Sequence, residues 1–282
     1  MSVSACEHVG RYLRWRSDPF TEGHASDELR VVPPRAPRMS GLFWNSATRW
    51  AACKLNGLTS FSPPPPRAAD DKEPRRILLV HAHPVSDSFS SALADAVERG
   101  AAEGGHQIRR RSLYAEGYRP ELTASERKGY FDVDKGAARC PPDVRSHLQD
   151  LRWADSLVLV YPTWWFNMPA MLKGFFDRTL VPGADCAWDF PRSPEEKAAS
   201  NGLVPKLTNI QRIMGVSTYG APRHIAFLAG DNGRNCISTA IRPNFAPGCT
   251  CHWLGLYQLD NCSTATREEF LATVRTAIRD EF

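Results

Sequence analysis

Three aromatic residues in a row follow an apolar segment near the middle of the chain. The segment Ser156–Tyr161 has the length and the near-continuous apolar character of a strand that is buried on both faces. The aromatic turn after it consists of Pro162, Thr163, Trp164, Trp165 and Phe166. Because ligands of open α/β sheets bind beyond the carboxyl ends of the strands, this turn could offer ring faces and backbone N–H groups to a planar ligand. The alternative is that its aromatic side chains belong to the core or to an interface.

Polar residues follow the first predicted strand, Ile77–Val80, where a helix is expected to begin. They are His83, Ser88, Ser90 and Ser91. The N-terminus of a helix presents free N–H groups and the positive end of its dipole, so this turn could bind a phosphate, with the serine hydroxyls as further donors. Neither the dinucleotide motif G-x-G-x-x-G nor a P-loop motif is present. Ordinary capping of the helix by serine is the simpler role that the same residues allow.

Two histidines, His81 and His83, stand two residues apart at the end of this strand and so project to the same face. A metal site needs further ligands, and no carboxylate or thiol is placed to complete one. The eight cysteines form no C-x-x-C pair, and Cys249, Cys251 and His252 have no further ligand at zinc spacing. We therefore expect no metal, free thiols in a reducing compartment, and a hydrogen bond from His83 to a ligand phosphate or ring.

The wider pattern of the chain predicts how these turns are positioned. From residue 76 onward five predicted strands alternate with helices, which predicts a doubly wound α/β domain with a five-stranded parallel sheet and helices on both faces over residues 76–282. A third turn, Ser217–Ala221, follows the predicted fourth strand, Ile210–Val216. We expect the three turns to meet at one sheet edge, where a flavodoxin-like strand order binds a flavin. A Ser-His-Asp hydrolase is not favoured, because G-x-S-x-G is absent.

Further helices and one long excursion are predicted around these turns. The helix after the aromatic turn is expected to have Asn167 in an N-cap position and Pro169 in its first turn, and the last helix is expected over Glu268–Ile278. Between them, Pro182–Leu207 is predicted to be a long excursion that contains Trp188, Asp189 and Phe190.

Residues 1–75 differ in composition from the rest. They are rich in proline, including the run Pro63–Pro66, and no acidic residue occurs from Leu29 to Ala69. We interpret them as a disordered N-terminal extension joined by a stiff proline linker, which places the protein in the cytoplasm. The alternative is a mitochondrial transit peptide, since such peptides are poor in acidic residues.

Overall composition excludes several classes of protein. The net charge of +4 is small, and no basic stripe with interleaved aromatic residues occurs, so nucleic acid is not an expected partner. No apolar run approaches the roughly 18 residues of a membrane span, so a membrane-spanning protein is not expected either.

Four segments give the sequence a resemblance to the flavodoxin-like NAD(P)H:quinone oxidoreductases. They are H-x-x-x-x-S-F-S at His83–Ser90, L-Y-A-E-G-Y at Leu113–Tyr118, Y-P-T-W-W-F-N-M-P-A-M-L-K-G-F-F-D-R at Tyr161–Arg178 and S-T-Y-G at Ser217–Gly220. The resemblance covers about residues 76–282 and does not extend to the first 75.

The resemblance implies an enzyme that reduces quinones by two-electron hydride transfer from NAD(P)H through a bound FAD, or FMN in some members, and that is a homodimer. The residues implied to contact the flavin phosphate and ribityl chain are His83, Ser88, Phe89, Ser90 and Ser91. Those implied to line the flavin ring are Pro162, Thr163, Trp164, Trp165, Phe166, Thr218, Tyr219, Gly220 and Ala221. A flavin-binding regulatory subunit of a transporter and a flavodoxin-type electron carrier are the alternatives.

One part of the family pattern is not matched. Animal members of the family carry a Tyr and a His downstream of the glycine turn that are implicated in stabilising the reduced flavin, whereas here Pro222, Arg223 and His224 follow at a different spacing. Tyr219 and His224 are therefore the candidate catalytic residues.

Overall fold

The computed structural model describes residues 73–200, 202–280 and 282. Of the predicted N-terminal extension, residues 1–72 lie outside the described residues. The strands are β1 (Arg76–His81), β2 (Gln107–Ser112), β3 (Ser156–Pro162), β4 (Trp188–Asp189), β5 (Val204–Pro205), β6 (Arg212–Thr218) and β7 (Thr250–Leu256). The α-helices are α1 (Phe89–Glu103), α2 (Ala124–Lys128), α3 (Pro142–Trp153), α4 (Ala170–Thr179), α5 (Pro194–Ala199), α6 (Arg223–Leu228), α7 (Asn232–Asn235) and α8 (Thr264–Asp280).

Five of the strands form one parallel sheet in the order β2-β1-β3-β6-β7. The predicted fold class, a doubly wound five-stranded parallel sheet, is thereby confirmed. The strand order reverses direction between β1 and β3, and this is the switch point at which ligands of such sheets bind. The remaining two strands, β4 and β5, pair antiparallel within the predicted excursion, so that segment is folded.

The sheet is buried because its central strands are apolar on both faces. Every residue of β3 is buried, as are Ile77–His81 of β1. Helices α1 and α8 pack against each other, and α3 and α4 form a second packed pair. This arrangement explains the near-continuous apolar runs of the sequence, since a strand covered by helices on both faces has no solvent side.

The edge strand β2 differs from the central strands because it carries three successive arginines. On one face Arg110 Nη1 donates to Asp95 Oδ1 at 2.7 Å and to Glu98 Oε2 at 2.8 Å. On the other face Arg109 Nη1 donates to Asp150 Oδ1 at 2.8 Å. Carboxylates of the covering helices α1 and α3 thus pair with charges that a central strand could not accommodate.

Two predicted helix starts are wrong. Helix α4 begins at Ala170 with Pro169 as its N-cap residue, because Asn167 is held by backbone pairing to Trp164 and cannot cap the helix. The last helix begins at Thr264, four residues before the predicted start, because Ser263 Oγ accepts from the N–H of Thr266 and supports an earlier turn.

A buried histidine in α3 predicts how stability depends on pH. His147 is only 3% exposed and packs edge-on against Tyr118 and Phe175. Burial, with a further contribution from Arg111, lowers its pKa from 6.5 to about 4. Between these pH values the unfolded chain binds a proton that the folded protein does not, so the free energy of unfolding falls as pH falls.

We expect this loss to be on the order of 2 kcal/mol between pH 7 and pH 4.5. Urea unfolding at the two pH values measures it. His147→Gln should reduce the difference between the two pH values, because its side chain does not titrate. An unchanged pH dependence in this variant would show that other groups, such as the buried His81, are responsible.

Candidate functional site

The start of α1 forms the first part of the site. Ser88 is the N-cap residue, and its Oγ accepts from the N–H of Ser91 at 3.2 Å. The hydroxyl of Ser91 in turn donates to Val85 O at 3.1 Å. Two of the predicted serines therefore cap the helix and fix its preceding loop. Within the described part of the chain, the N–H groups of Phe89 and Ser90 have no hydrogen-bond partner, so they remain available to an anion.

Ser90 differs from the other two serines because its hydroxyl is buried without a partner. The residue is 3% exposed, and its Oγ forms no hydrogen bond with any described residue. An unsatisfied buried hydroxyl costs roughly 1–3 kcal/mol. An orphaned donor beside two free N–H groups at the start of a 15-residue helix fits an anion such as a phosphate.

The aromatic turn is a two-residue hairpin with unusual backbone geometry. Trp164 and Asn167 exchange two backbone hydrogen bonds, each of 3.0 Å. The residues between them, Trp165 and Phe166, have φ angles of 50° and 57°. Positive φ at both central positions is the pattern of a type I′ turn, which usually carries Asn-Gly. A bulky residue in this left-handed region costs about 1–2 kcal/mol.

The surroundings keep this strained turn in place. Phe166 O accepts from the N–H of Asn232 at 3.0 Å, which ties the turn to the start of α7. Strained backbone that the rest of the fold holds in place occurs preferentially at binding sites. Backbone hydrogen bonds therefore hold the turn both across its own ends and to α7.

The side chains of the turn lie at different depths. Trp165 is 95% exposed and Trp164 is 41% exposed, whereas Phe166 is half-buried. The alternative that all three aromatic residues belong to the core is therefore wrong for the two tryptophans. The ring of Trp164 lies 6.0 Å from that of His83, centroid to centroid, so the first turn reaches the second.

The second and third turns are joined by hydrogen bonds and enclose a cavity. Thr163 N–H donates to Thr218 O at 2.7 Å, and the hydroxyls of Thr163 and Ser217 lie 2.9 Å apart. The cavity has a volume of about 230 Å³ and is lined by Thr163, Trp165, Phe166, Tyr219, Gly220 and Ala221. All six are among the residues that the family resemblance implies to line a flavin ring, and the structure brings them together.

A comparison with known proteins places this arrangement in a family. The family model that describes a flavodoxin-like fold matches residues 75–236, more than half of the chain. The chain belongs to this flavodoxin-like family. The matched range contains the start of α1, the aromatic turn and the third turn.

Individual flavodoxin-like relatives align with part of the chain. An uncharacterized NAD(P)H oxidoreductase of Escherichia coli K12, YcaK, is 38% identical over 108 residues, which cover 38% of this chain and 54% of that protein. The rat NAD(P)H dehydrogenase (quinone) 1 is 31% identical over 121 residues, which cover 39% of this chain and 44% of that protein. The chain thus spans about half the length of the curated relatives it matches.

Solved structures share the flavodoxin-like architecture over a longer range. Smu.1420 from Streptococcus mutans UA159 superimposes with a TM-score of 0.59 at 25% identity, covering 72% of this chain and 98% of that one. An NAD(P)H:quinone oxidoreductase from Methanothermobacter marburgensis superimposes with a TM-score of 0.61 at 23% identity, covering 73% of this chain and 96% of that one. At this identity the second likeness establishes the fold alone.

The two predicted catalytic side chains occupy different environments in this flavodoxin-like domain. Tyr219 borders the cavity, but its side chain is buried and its hydroxyl is engaged inside the protein. The hydroxyl donates to Asp231 Oδ1 at 3.0 Å and accepts from Trp253 Nε1 at 3.0 Å. His224 lies in the first turn of α6, half-buried, and does not line the cavity.

Asp231 and Trp253 are the site-supporting residues that the sequence reasoning missed. Asp231 is 6% exposed and has a φ of 40° directly before α7, and burial raises the pKa of its carboxyl group. Gly230 and Gly233, which flank this position, are the sequence signal for such a kink. Nothing in the sequence pairs either residue with Tyr219, because the partners are 12 and 34 residues away.

Neither a group of metal ligands nor a membrane-spanning helix is found among the described residues. In the part of the chain that the structure describes, no group of three or more His, Cys, Asp or Glu side chains could hold a metal ion. His81 is buried, and burial lowers its pKa to about 3. None of the described helices combines the length and the apolar character that a bilayer span requires.

Proposed function

We propose that the chain is a flavin-dependent NAD(P)H oxidoreductase that reduces quinones. The observation that carries the proposal is the cavity between the exposed Trp165 and the third turn, at the same sheet edge as a helix N-terminus with free donors. The rat relative, an NAD(P)H dehydrogenase (quinone), supports the choice of acceptor.

Each part of the site has a counterpart in a flavin. The N–H groups of Phe89 and Ser90 and the Ser90 hydroxyl would hold a phosphate, because they are the unused donors at the positive end of α1. Trp165 and Gly220 line the cavity between the second and third turns, where the planar ring would lie. A flavin held there would supply the hydride-transfer chemistry between NAD(P)H and a quinone, and these residues would supply position and electrostatics. We propose FAD as the cofactor, with FMN as the alternative.

Purification of the full chain tests this function directly. The visible absorption spectrum and chromatography of the released cofactor identify the flavin, and anaerobic mixing with NADH or NADPH measures its reduction. Rapid reduction followed by reoxidation with a quinone is expected. A regulatory subunit or an electron carrier would bind flavin without rapid reduction by either nucleotide. A protein that binds neither FAD nor FMN would contradict the proposal.

A homodimer is part of this proposal. Phe131 is 56% exposed and Phe190 is 42% exposed, and their rings lie 6.1 Å apart in one surface cluster that also contains Trp188. Exposed aromatic clusters of this kind mark interaction surfaces. Sedimentation equilibrium should show a dimer that is weakened by Phe131→Ser, and a monomeric native protein would contradict it.

The unpaired serine allows a sharper test of the phosphate subsite. We expect Ser90→Ala to weaken FMN binding by about tenfold or more, since one hydrogen bond to a charged group contributes roughly 1.5–3 kcal/mol. Riboflavin, which lacks the phosphate, should bind the variant and the native protein equally. The apoprotein should be no less stable, because the lost hydroxyl has no partner in it.

Ser88→Ala is the matched control for this experiment. It removes the N-cap oxygen and should lower the free energy of unfolding by about 1 kcal/mol. If Ser90→Ala also destabilises the apoprotein and affects FMN and riboflavin alike, its hydroxyl does not serve the phosphate.

A further inference from the structure

Two cysteines, Cys140 and Cys186, lie next to each other away from the candidate flavin site. Both side chains are buried, and both thiols are free in the structure. They belong to a small apolar cluster with Val144, Leu148 and Val181. Cys140 directly precedes the start of α3, and Cys186 lies in the turn before β4, so the pair sits between two segments that are distant in sequence.

The two segments approach closely around the thiols. A Cβ atom on Gly136 would lie 2.1 Å from Asp185 Oδ1, and one on Gly183 would lie 3.1 Å from Cys186 Sγ. Arg139 ties the segments together, because its guanidinium donates to Gly136 O at 2.7 Å and also to Pro182 O. Glycine at positions 136 and 183 permits this close approach of the segments that carry the two thiols.

The charges around the pair make the two thiols unequal. The hydrogen bond from Cys186, with a further contribution from Arg139, lowers the pKa of Cys140 below that of an ordinary thiol. The same hydrogen bond and burial raise the pKa of Cys186, whose Sγ lies 3.8 Å from Asp185 Oδ1. The thiolate is the reactive form of a thiol, and Arg139, whose Nη1 lies 4.0 Å from Cys186 Sγ, places a positive charge beside the pair.

Access to the pair is also unequal. A cavity of about 120 Å³ is lined by Cys140 and Arg139 together with Tyr130, Glu126 and Arg178, among others, and Cys186 does not line it. Cys186 is fully buried, whereas Cys140 is 9% exposed and lines the cavity, so Cys140 is the thiol that a small oxidant can reach and the one that attacks. A water molecule occupies about 30 Å³, so the cavity admits a molecule as small as hydrogen peroxide.

We propose that Cys140 and Cys186 form a peroxide-sensitive dithiol, in which Cys140 is the attacking thiol and Cys186 the resolving thiol. The Cys140 thiolate attacks one oxygen of a hydroperoxide, the O–O bond breaks, and the sulfenic acid and a water or alcohol are formed. Cys186 Sγ then attacks the sulfenic sulfur, the S–O bond breaks, and water leaves. Overall, two thiols lose two electrons and two protons to one peroxide.

The disulfide would fasten the start of α3 to the turn that leads into β4. This segment contains Trp188, which is followed by the exposed Phe190, so oxidation would rigidify a surface that the proposed dimer uses. The inference goes beyond the proposed oxidoreductase activity, because the dithiol chemistry requires no flavin.

Peptide mapping of the native full chain tests the proposal without any variant. After brief treatment with hydrogen peroxide and alkylation of the remaining thiols, we expect a disulfide-linked peptide pair that contains Cys140 and Cys186 and is two hydrogens lighter than the reduced pair. Before treatment, Cys140 should be alkylated at neutral pH about tenfold faster or more than Cys249, whose pKa is raised by burial to about 11.

Two variants separate the roles of the thiols. In Cys186→Ser the sulfenic acid on Cys140 should accumulate and be trapped by dimedone, whereas Cys140→Ser should give no trapped product at Cys186. Cys249→Ser, which removes a buried thiol elsewhere, should form the disulfide like the native protein. The proposal is overturned if peroxide-treated native protein contains no Cys140–Cys186 link, or if dimedone labels Cys186 in Cys140→Ser.

Discussion

Replacing Trp165 with alanine is expected to weaken flavin binding by about a hundredfold while the apoprotein keeps its stability. The indole is 95% exposed in the structure, so its removal costs the apoprotein almost no packing. Burial of an aromatic side chain of this size contributes about 3 kcal/mol. Since about 1.4 kcal/mol corresponds to tenfold in affinity, full burial of the ring against a flavin accounts for the expected loss.

The measurement is a titration of the apoprotein with FAD and with FMN, together with thermal melts of both forms. Trp165→Phe should recover most of the affinity, because it restores a ring at the same backbone position. Leu228→Ala is the matched control, since Leu228 is 51% exposed but does not line the cavity. A lowered melting temperature of apo Trp165→Ala with unchanged flavin affinity would show that this tryptophan has a structural role.

Tyr219→Phe, which removes one hydroxyl group, should lower the stability of the folded protein more than the loss of any other single hydroxyl near the site. The hydroxyl that it removes bonds both Asp231 and Trp253, which are 6% and 2% exposed. Trp253 Nε1 then loses its hydrogen-bond acceptor, and Asp231 loses a donor while it keeps Arg234, whose Nη1 lies 3.7 Å from Asp231 Oδ2. Each lost hydrogen bond costs roughly 1–3 kcal/mol. We expect a total loss of about 3 kcal/mol, or a melting temperature lower by roughly 6–12 °C for a domain of this size.

The same variant separates a structural role of Tyr219 from a catalytic one. Below its melting temperature, Tyr219→Phe should retain the native rate constant for NAD(P)H-dependent reduction, because the hydroxyl bonds inward. Tyr161→Phe is the matched control, since the Tyr161 hydroxyl is equally buried but has no hydrogen-bond partner among the described residues. It should cost little or no stability. A stable Tyr219→Phe variant with a greatly reduced rate constant would instead assign Tyr219 to catalysis.

The sheet could be predicted from the sequence because its signals are local. Each of the five strands is a short run that the sequence marks by composition, and the helices between them require parallel pairing with right-handed crossovers. The C-terminal ends of parallel strands lie at one edge, so the meeting of the turns after β1, β3 and β6 followed from the same pattern. The individual residues of the cavity, by contrast, were implied by the family resemblance.

The details of the site could not be predicted, because they depend on contacts between distant residues. Neither central residue of the left-handed turn, Trp165 or Phe166, is the glycine or asparagine that usually marks such a turn. The pairing of Asn167 with Trp164 therefore has no local signal, and the sequence pattern favours a helix cap at Asn167 instead. Likewise, the sequence does not show that the hydroxyl of Tyr219 bonds two buried residues and therefore points away from a bound flavin. Whether a polar side chain faces a ligand or the core is decided by tertiary packing.

The arginines of β2 have a consequence for the behaviour of the protein at high concentration. An edge strand has unpaired backbone groups, and another sheet could add to it and begin aggregation. At β2, an added strand would have to cover the guanidinium groups of Arg109, Arg110 and Arg111, which are 46%, 24% and 28% exposed. Loss of their hydration would oppose this addition. Concentrated solutions should therefore be resistant to fibril growth from this edge.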